Sequence, residues 1–313
     1  MSFSLSPEAA GERHNVHAGG GGAYSSAVQN DADPTPVPRS LVWATDIDVL
    51  PERRVVERRN GYLLIRSPAN PTHYWGNLLL FEDAPAPGDG DRWEKLFDAA
   101  FGDEPRVRHR TFAWDRSDGV AGVAREEFAD RGYDIEESVG LVASSGSVTS
   151  HPRENREVEV RALDPLPGAD QELWSAVVDL QVVSRDAGHS EHAHRAFVCA
   201  RLDGHRVHFQ AGRGAWYVAI EPGSGEVVAS CGVVVTGGRA RFQAVDTALE
   251  YRRRGICSRL VIEAARRSAD LHGAERFVIV AEAGYHALGL YESLGFKQQE
   301  HVFGVCLWRH RLG

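Results

Sequence analysis

The sequence predicts a mixed α/β protein built of two domains, and three observations lead to this prediction. Its 313 residues exceed the size at which a single hydrophobic core is usual. Hydrophobic residues make up 42% of the chain and charged residues 25%, which is typical of a globular protein. The second half alternates between the helical period of 3.6 residues and the strand period of two.

Two polar segments suggest the domain boundaries. Residues 1–40 contain the four-glycine run 19–22 and three alternating prolines, with few large apolar side chains. We expect a disordered tail there, because the segment cannot bury enough surface to offset the entropy lost on ordering. The run SSGSVTSHPREN, which begins at Ser144, is typical of a linker. The predicted domains are therefore 41–150 and 151–313.

Periodicity predicts the order of elements in the second half. Helices are expected at 171–184 and from 191 to about 206. A meander of three strands follows at 216–220, 227–235 and 240–247. Next comes an amphipathic helix that begins near Ile256 and ends at Gly273. The last elements are a strand at 277–281, a helix at 286–294 and a strand at 302–308.

Charge and composition exclude several function classes. The 44 acidic against 35 basic residues give a net charge of -9, which disfavours a nucleic-acid partner. No stretch approaches the roughly 20 apolar residues that span a membrane, and the N-terminus lacks the pattern of a signal peptide. The four cysteines form no CxxC pair and predict neither a zinc site nor a disulfide framework. We expect a cytoplasmic protein with reduced thiols and no membrane partner.

The most informative segment lies between the strand 240–247 and the following helix. It reads Tyr251-Arg252-Arg253-Arg254-Gly255-Ile256-Cys257-Ser258. The start of a helix presents unpaired N–H groups and partial positive charge, so it favours a pyrophosphate, and a glycine permits close approach. The same residues also fit a solvated basic helix start with no ligand.

A second segment, Tyr291-Glu292-Ser293-Leu294-Gly295-Phe296, follows at the end of the next predicted helix. With both segments, residues 157–312 resemble the GNAT (N-acetyltransferase) superfamily. The acetyl-CoA loop of that family is Gln/Arg-x-x-Gly-x-Gly/Ala, and its later helix ends in Tyr-x-x-x-Gly-Phe. The corresponding loop here is Arg252-x-x-Gly255-x-Cys257. The resemblance implies a mixed, mostly antiparallel twisted sheet flanked by helices, with a splayed central strand.

The resemblance also implies acetyl-CoA as the co-substrate and a role for individual residues. Backbone groups of Val245 and Thr247 would bond the pantetheine arm. Tyr291 corresponds to the general acid that protonates the departing CoA thiolate; as an alternative, it is an aromatic packed beside Phe296. The pyrophosphate would lie on the loop formed by Arg253, Arg254, Gly255, Ile256, Cys257 and Ser258.

Three positions depart from the family pattern. Cys257 replaces the second Gly/Ala, and Gly284 stands where the family often has an asparagine that contacts CoA. The central strand 241–245 has no glutamate, although many relatives hold a general base there, so the base stays open between several side chains and a water relay. The candidate side chains are Asp246, Glu250, Glu282 and His286, of which Glu282 directly follows the fifth strand of the domain and is our catalytic candidate.

Three histidines near the predicted second helix suggest a metal at first sight. His189, His192 and His194 occur in HSEHAH, but their spacing does not place all three on one helix face, and no carboxylate motif completes a ligand set. We predict no metal. The segment instead fits the wall of an acceptor pocket, where Asp186 and Glu191 would favour a cationic amine.

The first half is similar to the second at an offset of 163 residues. This offset brings Gly132-Tyr133 onto Gly295-Phe296 and the segment 77–84 onto 240–247. Asp89 and Asp91 then lie where the second half has arginines, and Phe128 lies where it has Tyr291. The first half is therefore predicted to be a degenerate GNAT-like domain without activity. The alternative is an accidental similarity and an unrelated α/β domain.

The expected function is acetyl transfer from acetyl-CoA to a primary amine of a small molecule or peptide, by direct attack. A rival is a non-catalytic acyl-CoA-binding or interaction module. A second rival, aminoacyl transfer from tRNA, is disfavoured by the net acidity and the CoA loop. We expect a monomer or homodimer. Residues 171–215, the predicted wall of the acceptor pocket, contain no motif that identifies the acceptor amine.

Overall fold

An eleven-stranded sheet forms the centre of the part of the protein described by the computed structural model, residues 36–185 and 190–308. The first half contributes β1 (Val55–Arg59), β2 (Tyr62–Arg66), β3 (Leu78–Phe81), β4 (His109–Trp114) and β5 (Asp134–Ser144). The second half contributes β6 (Glu159–Ala162), β7 (Gly214–Ile220), β8 (Val227–Thr236), β9 (Arg239–Thr247), β10 (Arg276–Glu282) and β11 (Lys297–Trp308).

Helices cover both faces of this sheet. They are α1 (Leu41–Asp48), α2 (Asp89–Phe101), α3 (Gln171–Val183), α4 (Glu191–Gln210), α5 (Ile256–His272) and α6 (Leu288–Ser293). A short π-helical segment, Ala124–Phe128, precedes β5 in the first half. Within the described ranges, no helix combines the length and apolar character needed to cross a bilayer.

The strand order joins the two halves into one sheet. It runs β1-β2-β3-β4-β11-β5-β10-β9-β8-β7-β6. Strand β11 of the second half lies between β4 and β5, and β5 of the first half lies between β11 and β10, in antiparallel pairs throughout. Each half therefore contributes one long strand to the other. The predicted mixed, mostly antiparallel sheet flanked by helices is confirmed, and the sheet continues across both halves.

The core lies on both faces of the sheet. Helix α5 packs on one face against β7, β8 and β9, with Ile256, Leu260 and Ala264 buried as the amphipathic pattern predicts. Helices α1, α3 and α4 contact the strands of the second half as well. Five large aromatic side chains of the first half are buried in the core: Trp75, Trp93, Phe97, Phe101 and Trp114.

Ser40 belongs to the predicted tail 1–40, but it packs against the folded chain. Ser40 is 2% exposed and caps α1 by accepting a hydrogen bond from the N–H of Trp43. Its hydroxyl donates to Glu300 on β11 at 2.7 Å, and the N–H groups of Leu41 and Val42 donate to the same carboxylate. The remainder of the predicted tail, 1–35, lies outside the described residues.

Candidate functional site

The central cleft arises because β9 and β10 separate along their length. These parallel strands are nine and seven residues long, but they pair only from Arg239 to Arg241 on β9. Beyond that point β9 bulges away from its β8 neighbour, since the pairing register shifts between Ser230 and Gly232. Ala244, in the bulge, adopts a left-handed φ of 43° that is strained for a residue with a side chain. The predicted splayed strand is thus confirmed.

A cavity of about 290 Å³ occupies one side of this cleft. It contains Val245, Glu282 and Tyr291, three of the residues that the sequence singles out. Helices α3 and α4 form its opposite wall. Its polar and charged lining consists of Gln181, Ser184, Arg185, His194, Arg201, Asp246, Arg252, Glu282, Tyr285 and Tyr291.

The start of α5 lies in close contact with the backbone of residues 153–155. Gly255 has a φ of 75°, and a Cβ at this position would lie 1.8 Å from the carbonyl oxygen of Arg153. Only glycine is therefore compatible with this turn. The first N–H groups of α5 have no partner within the helix and carry partial positive charge, so this end of the helix attracts an anion.

The three consecutive arginines are not equivalent. Arg252 turns toward the cleft, where its Nε donates to the Thr247 carbonyl at 3.0 Å and its guanidinium lies 3.8 Å from the Asp246 carboxylate. Arg253 and Arg254 are exposed at the rim of the α5 start, and the Arg254 guanidinium stacks 5.0 Å from the Tyr251 ring centre. All three arginines are therefore at the surface near Gly255, and Arg252 also reaches the cavity.

Thr247 and Val245, the two predicted pantetheine contacts, differ in the hydrogen bonds that their backbone groups make within the protein. The Thr247 N–H donates to Asp246 Oδ1 at 2.8 Å, and the Thr247 carbonyl accepts from Arg252. A ligand that used Thr247 would have to replace one of these contacts. Val245 lines the cavity directly beside the β9 bulge.

Tyr291 lies on α6 at the inner side of the cavity and is 4% exposed. Burial, with smaller effects from Cys257 and Tyr285, raises the pKa of its hydroxyl well above the ordinary value. The hydroxyl is therefore protonated at neutral pH and can donate a proton. The ring also packs edge-on against Phe296, so the contact expected of a packed aromatic is present too.

Two of the four predicted base candidates line the cavity. Asp246 is largely buried, accepts a hydrogen bond from the Ser184 hydroxyl, and has a pKa raised by burial. Glu282 is exposed at the edge of the same cavity. Glu250 instead lines a separate groove beside α3, and His286 is exposed next to the Tyr285 ring.

Cys257 is an inert thiol in this environment. Burial, together with the nearby Asp246 carboxylate, raises the pKa of its thiol to about 12. It is therefore protonated at neutral pH and packs against the core beneath α5. All four cysteines of the chain are free thiols.

The histidine segment contributes one residue to the cavity. His194 is buried on the inner side of α4 and lines the cavity, whereas His192 is exposed and His189 lies outside the described residues. In the part of the chain that the structure describes, no group of three metal-binding side chains comes together. Glu191 lies on the outer side between Arg185 and Arg195, and Asp186 is outside the described residues.

The sequence analysis missed the polar side chains that α3 and α4 place in the cavity wall. Gln181, Ser184 and Arg201 are the clearest examples. Their helices are predicted from periodicity, but the pattern alone does not indicate which polar residues face the sheet. For Arg201 a signal exists, because it lies one helical turn after Phe197 and one before His205, which are both buried.

A second, smaller cavity of about 80 Å³ lies deeper, toward the first half. It shares Arg201, Phe242, Ala244 and Val280 with the larger cavity. The buried Arg241 forms an ion pair of 2.6 Å with Asp46 of α1 at its edge. Burial raises the pKa of that aspartate, and Arg241 opposes the rise.

The corresponding position in the first half is already filled by the protein. The N–H groups of Gly88 and Gly90, at the start of α2, donate to the Glu127 carboxylate at 2.9 and 2.8 Å. An anion supplied by the chain thus occupies the helix end, and Asp89 adds a further negative charge there. Phe128 is fully buried in an aromatic cluster. These contacts leave no place for a pyrophosphate at α2.

Comparisons with known proteins agree with this geometry. A model of the acetyltransferase (GNAT) domain family matches residues 212–298, the segment that holds the α5 start, Glu282 and Tyr291. Comparison with curated proteins gave no match.

Solved structures extend the similarity to most of the chain. A conserved protein of unknown function from Staphylococcus epidermidis superimposes with a TM-score of 0.64 at 12% identity, covering 81% of this chain and 94% of that one. A GCN5-related N-acetyltransferase from Kribbella flavida gives 0.54 at 14% identity, covering 81% and 89%. A tandem GNAT protein from the clavulanic acid biosynthesis pathway gives 0.50 at 14% identity, covering 84% and 87%. Residues 212–298 therefore match a GNAT acetyltransferase domain, and most of the chain shares its fold with GNAT structures that include a tandem GNAT protein.

Proposed function

We propose that this protein is an N-acetyltransferase that transfers acetyl from acetyl-CoA to a primary amine of a small molecule or peptide, by direct attack in a ternary complex. The observation that carries the proposal is the connection of two features by one cleft. An anion-attracting helix start at Gly255 follows the C-terminal end of β9, and a buried, protonated Tyr291 lines the cavity beside the same end, near Cys257.

The cofactor would follow the exposed edge of β9. Its pyrophosphate would accept hydrogen bonds from the first turn of α5, residues 256–258, with Arg253 and Arg254 at the rim. The pantetheine arm would pass Thr247 and Val245 into the cleft and bring the thioester to the β9 bulge. This course uses the surface that the separation of β9 and β10 leaves without a strand partner.

The chemistry needs one proton donor and one proton acceptor. The neutral amine attacks the acetyl carbonyl carbon, the C–S bond breaks, and the Tyr291 hydroxyl donates its proton to the CoA thiolate. Asp246 and Glu282 are the carboxylates of the cavity that can take the proton from the amine. Burial raises the pKa of Asp246, which makes it a stronger base than an ordinary aspartate.

Thermal unfolding of the full chain tests the cofactor site. At a hundredfold excess of acetyl-CoA over its Kd, bound ligand should raise the Tm by about 4 °C. Arg253→Glu and Arg254→Glu should each remove most of the shift, because they place negative charge beside the pyrophosphate. Arg276→Glu is the matched control, because Arg276 is exposed and begins β10 at the end of the strand away from Glu282. The cofactor assignment fails if no acyl-CoA shifts the Tm.

A non-catalytic acyl-CoA-binding module would show the same thermal shift. The two functions differ in the release of free CoA thiol when amines are added. Thiol release that depends on both the amine and Tyr291 supports the enzyme, whereas tight binding without release supports the binding module.

A further inference from the structure

Arg201 of α4 lies at the junction of the two cavities and lines both. It therefore faces the inner end of the cleft, beyond the β9 bulge and opposite the side on which α5 begins. The larger cavity also contains Asp246 and Tyr291. A molecule that brings an amine to these two residues could contact Arg201 at the same time.

Among the described residues, no carboxylate lies close enough to Arg201 to act as its counter-ion. Its guanidinium donates to the neutral side-chain amide of Gln181 and stacks 5.1 Å from the Phe197 ring centre. Burial alone lowers its pKa to about 10, and no carboxylate among residues 36–185 and 190–308 opposes that shift. The neighbouring arginines differ, because Arg241 pairs with Asp46 and Arg252 lies close to Asp246. A half-buried cation without a counter-ion among the described residues is less favourable than a paired one, and a bound anion would supply the missing charge.

Further hydrogen-bonding groups in the same wall lack partners. Neither ring nitrogen of His205, a side chain that is 3% exposed, has a hydrogen-bond partner among the described residues. The same holds for Arg201 Nε and for Nε2 of Gln181, which is 6% exposed. Buried polar groups are rarely left unsatisfied, and here several donors converge from α3 and α4. The missing complement is an acceptor with a negative charge.

We propose that the acceptor is a small amine that also carries a carboxylate, and that Arg201 binds this carboxylate while the amine faces Asp246 and Tyr291. The inference rests on the proposed function and names its substrate class. A carboxylate suits the site better than a phosphate, because one guanidinium supplies one positive charge and matches the planar, bidentate geometry of a carboxylate. Gln181 adds a neutral donor in the larger cavity, and His205 adds one in the smaller cavity that Arg201 also lines.

Matched pairs of amines test the proposal with the full chain and acetyl-CoA. The probes are glycine, β-alanine, 4-aminobutyrate, glutamate and phenylalanine, each compared with its carboxamide, and benzylamine and spermidine as amines without a carboxylate. Initial rates of CoA thiol release give kcat/KM for each probe. At least one acid should exceed its own amide by about 10- to 100-fold, the range for a hydrogen-bonded charged group.

Variants at position 201 separate specificity from folding. Arg201→Gln should lower kcat/KM for the preferred acid by about 10- to 100-fold and leave the amide rate nearly unchanged, since the amide cannot use the charge. Arg201→Lys should keep part of the preference. Arg195→Gln, on the outer side of α4 where Arg195 pairs with Asp179, is the matched control and should behave as the wild type. If the position 201 variants do not fold, the acid-to-amide ratio of the wild type decides the question.

The outcomes distinguish an error in the substrate class from an error in the proposed enzymatic function. Turnover of amides, benzylamine or spermidine at rates equal to or above those of the acids would overturn the carboxylate assignment and leave the acetyltransferase intact. An absence of thiol release with every probe, although acetyl-CoA raises the Tm, would contradict the proposed enzymatic function itself.

Discussion

Burial in the cleft acts on three side chains in the same direction but with different chemical results. It raises the pKa of Tyr291, Cys257 and Asp246. The tyrosine and the cysteine are held protonated, which suits a proton donor and rules out a thiolate nucleophile. The aspartate becomes a stronger base than an exposed carboxylate. One environment therefore supplies both the acid and the base that amine acetylation requires.

Replacement of Tyr291 by phenylalanine tests the acid. Tyr291→Phe should lower kcat by about 100-fold or more, the usual contribution of a positioned general acid. The Tm shift caused by acetyl-CoA should persist, because the ring and its packing against Phe296 remain. Tyr285→Phe, which removes a hydroxyl at the exposed edge of the same cavity, should have little effect. Full turnover by Tyr291→Phe would refute the assignment.

Asp246→Asn tests the base and makes a prediction about stability. The folded-state pKa of Asp246 lies above its unfolded value, so the ionised side chain disfavours folding and stability declines as pH rises through the folded pKa. Asp246→Asn should therefore abolish most turnover without lowering the Tm at neutral pH. Melting curves and thiol release on this variant and on Glu282→Gln decide between the two carboxylates. Loss of activity only in Glu282→Gln would make Glu282 the base.

The elements differ in how far the sequence predicts them. Helix α5 is predicted from its apolar face and from the glycines that flank it, and the structure confirms both. Helix α1 is missed because six of its eight residues are buried, so its sequence has no amphipathic period. The helical period places Arg201 on the same face of α4 as the buried Phe197 and His205. Its position in the cavity also depends on the packing of α4 against α3 and the sheet, which the sequence does not show.

The start of α5 permits a prediction with an internal control. Gly255→Ala should lower the free energy of unfolding and remove the stabilisation by acetyl-CoA, since a Cβ would meet the Arg153 carbonyl oxygen and displace the turn. Gly273, at the other end of the same helix, has a similar φ of 67°, but a Cβ there would lie in open space. Gly273→Ala should therefore lower the free energy of unfolding by only about 1 kcal/mol. Urea unfolding with and without acetyl-CoA compares the two. Equal losses in both variants would show that the close approach at Gly255 is unimportant.

At the scale of the whole molecule, the two halves complete each other. Strand β5 is the direct neighbour of β10, and β11 is the direct neighbour of β4. The sequence predicts a last strand at 302–308 in the second half, but local periodicity carries no information on which distant strand will be its partner. The domain boundary at residue 150 stays a prediction. The sheet contains strands from both sides of this boundary.

This exchange predicts that the halves do not fold separately. Residues 151–313 alone lack β5, so β10 and β11 would lose the strand that joins them, and unpaired edges favour aggregation. The fragment should be insoluble or should melt without cooperativity, and co-expression with residues 1–150 should restore a soluble complex. Soluble yield and thermal melting measure the outcome. A cooperative transition in the isolated fragment would contradict the shared-sheet account.

The most direct test of the central claim is simultaneous measurement of CoA thiol release and of acetylated amine by mass spectrometry, with the full chain, acetyl-CoA and the amine probes described above. We predict that both products form in equal amounts and that Tyr291→Phe suppresses them together. Thiol release without an acetylated amine, or acetyl-CoA binding with neither product, would contradict acetyl transfer at this cleft.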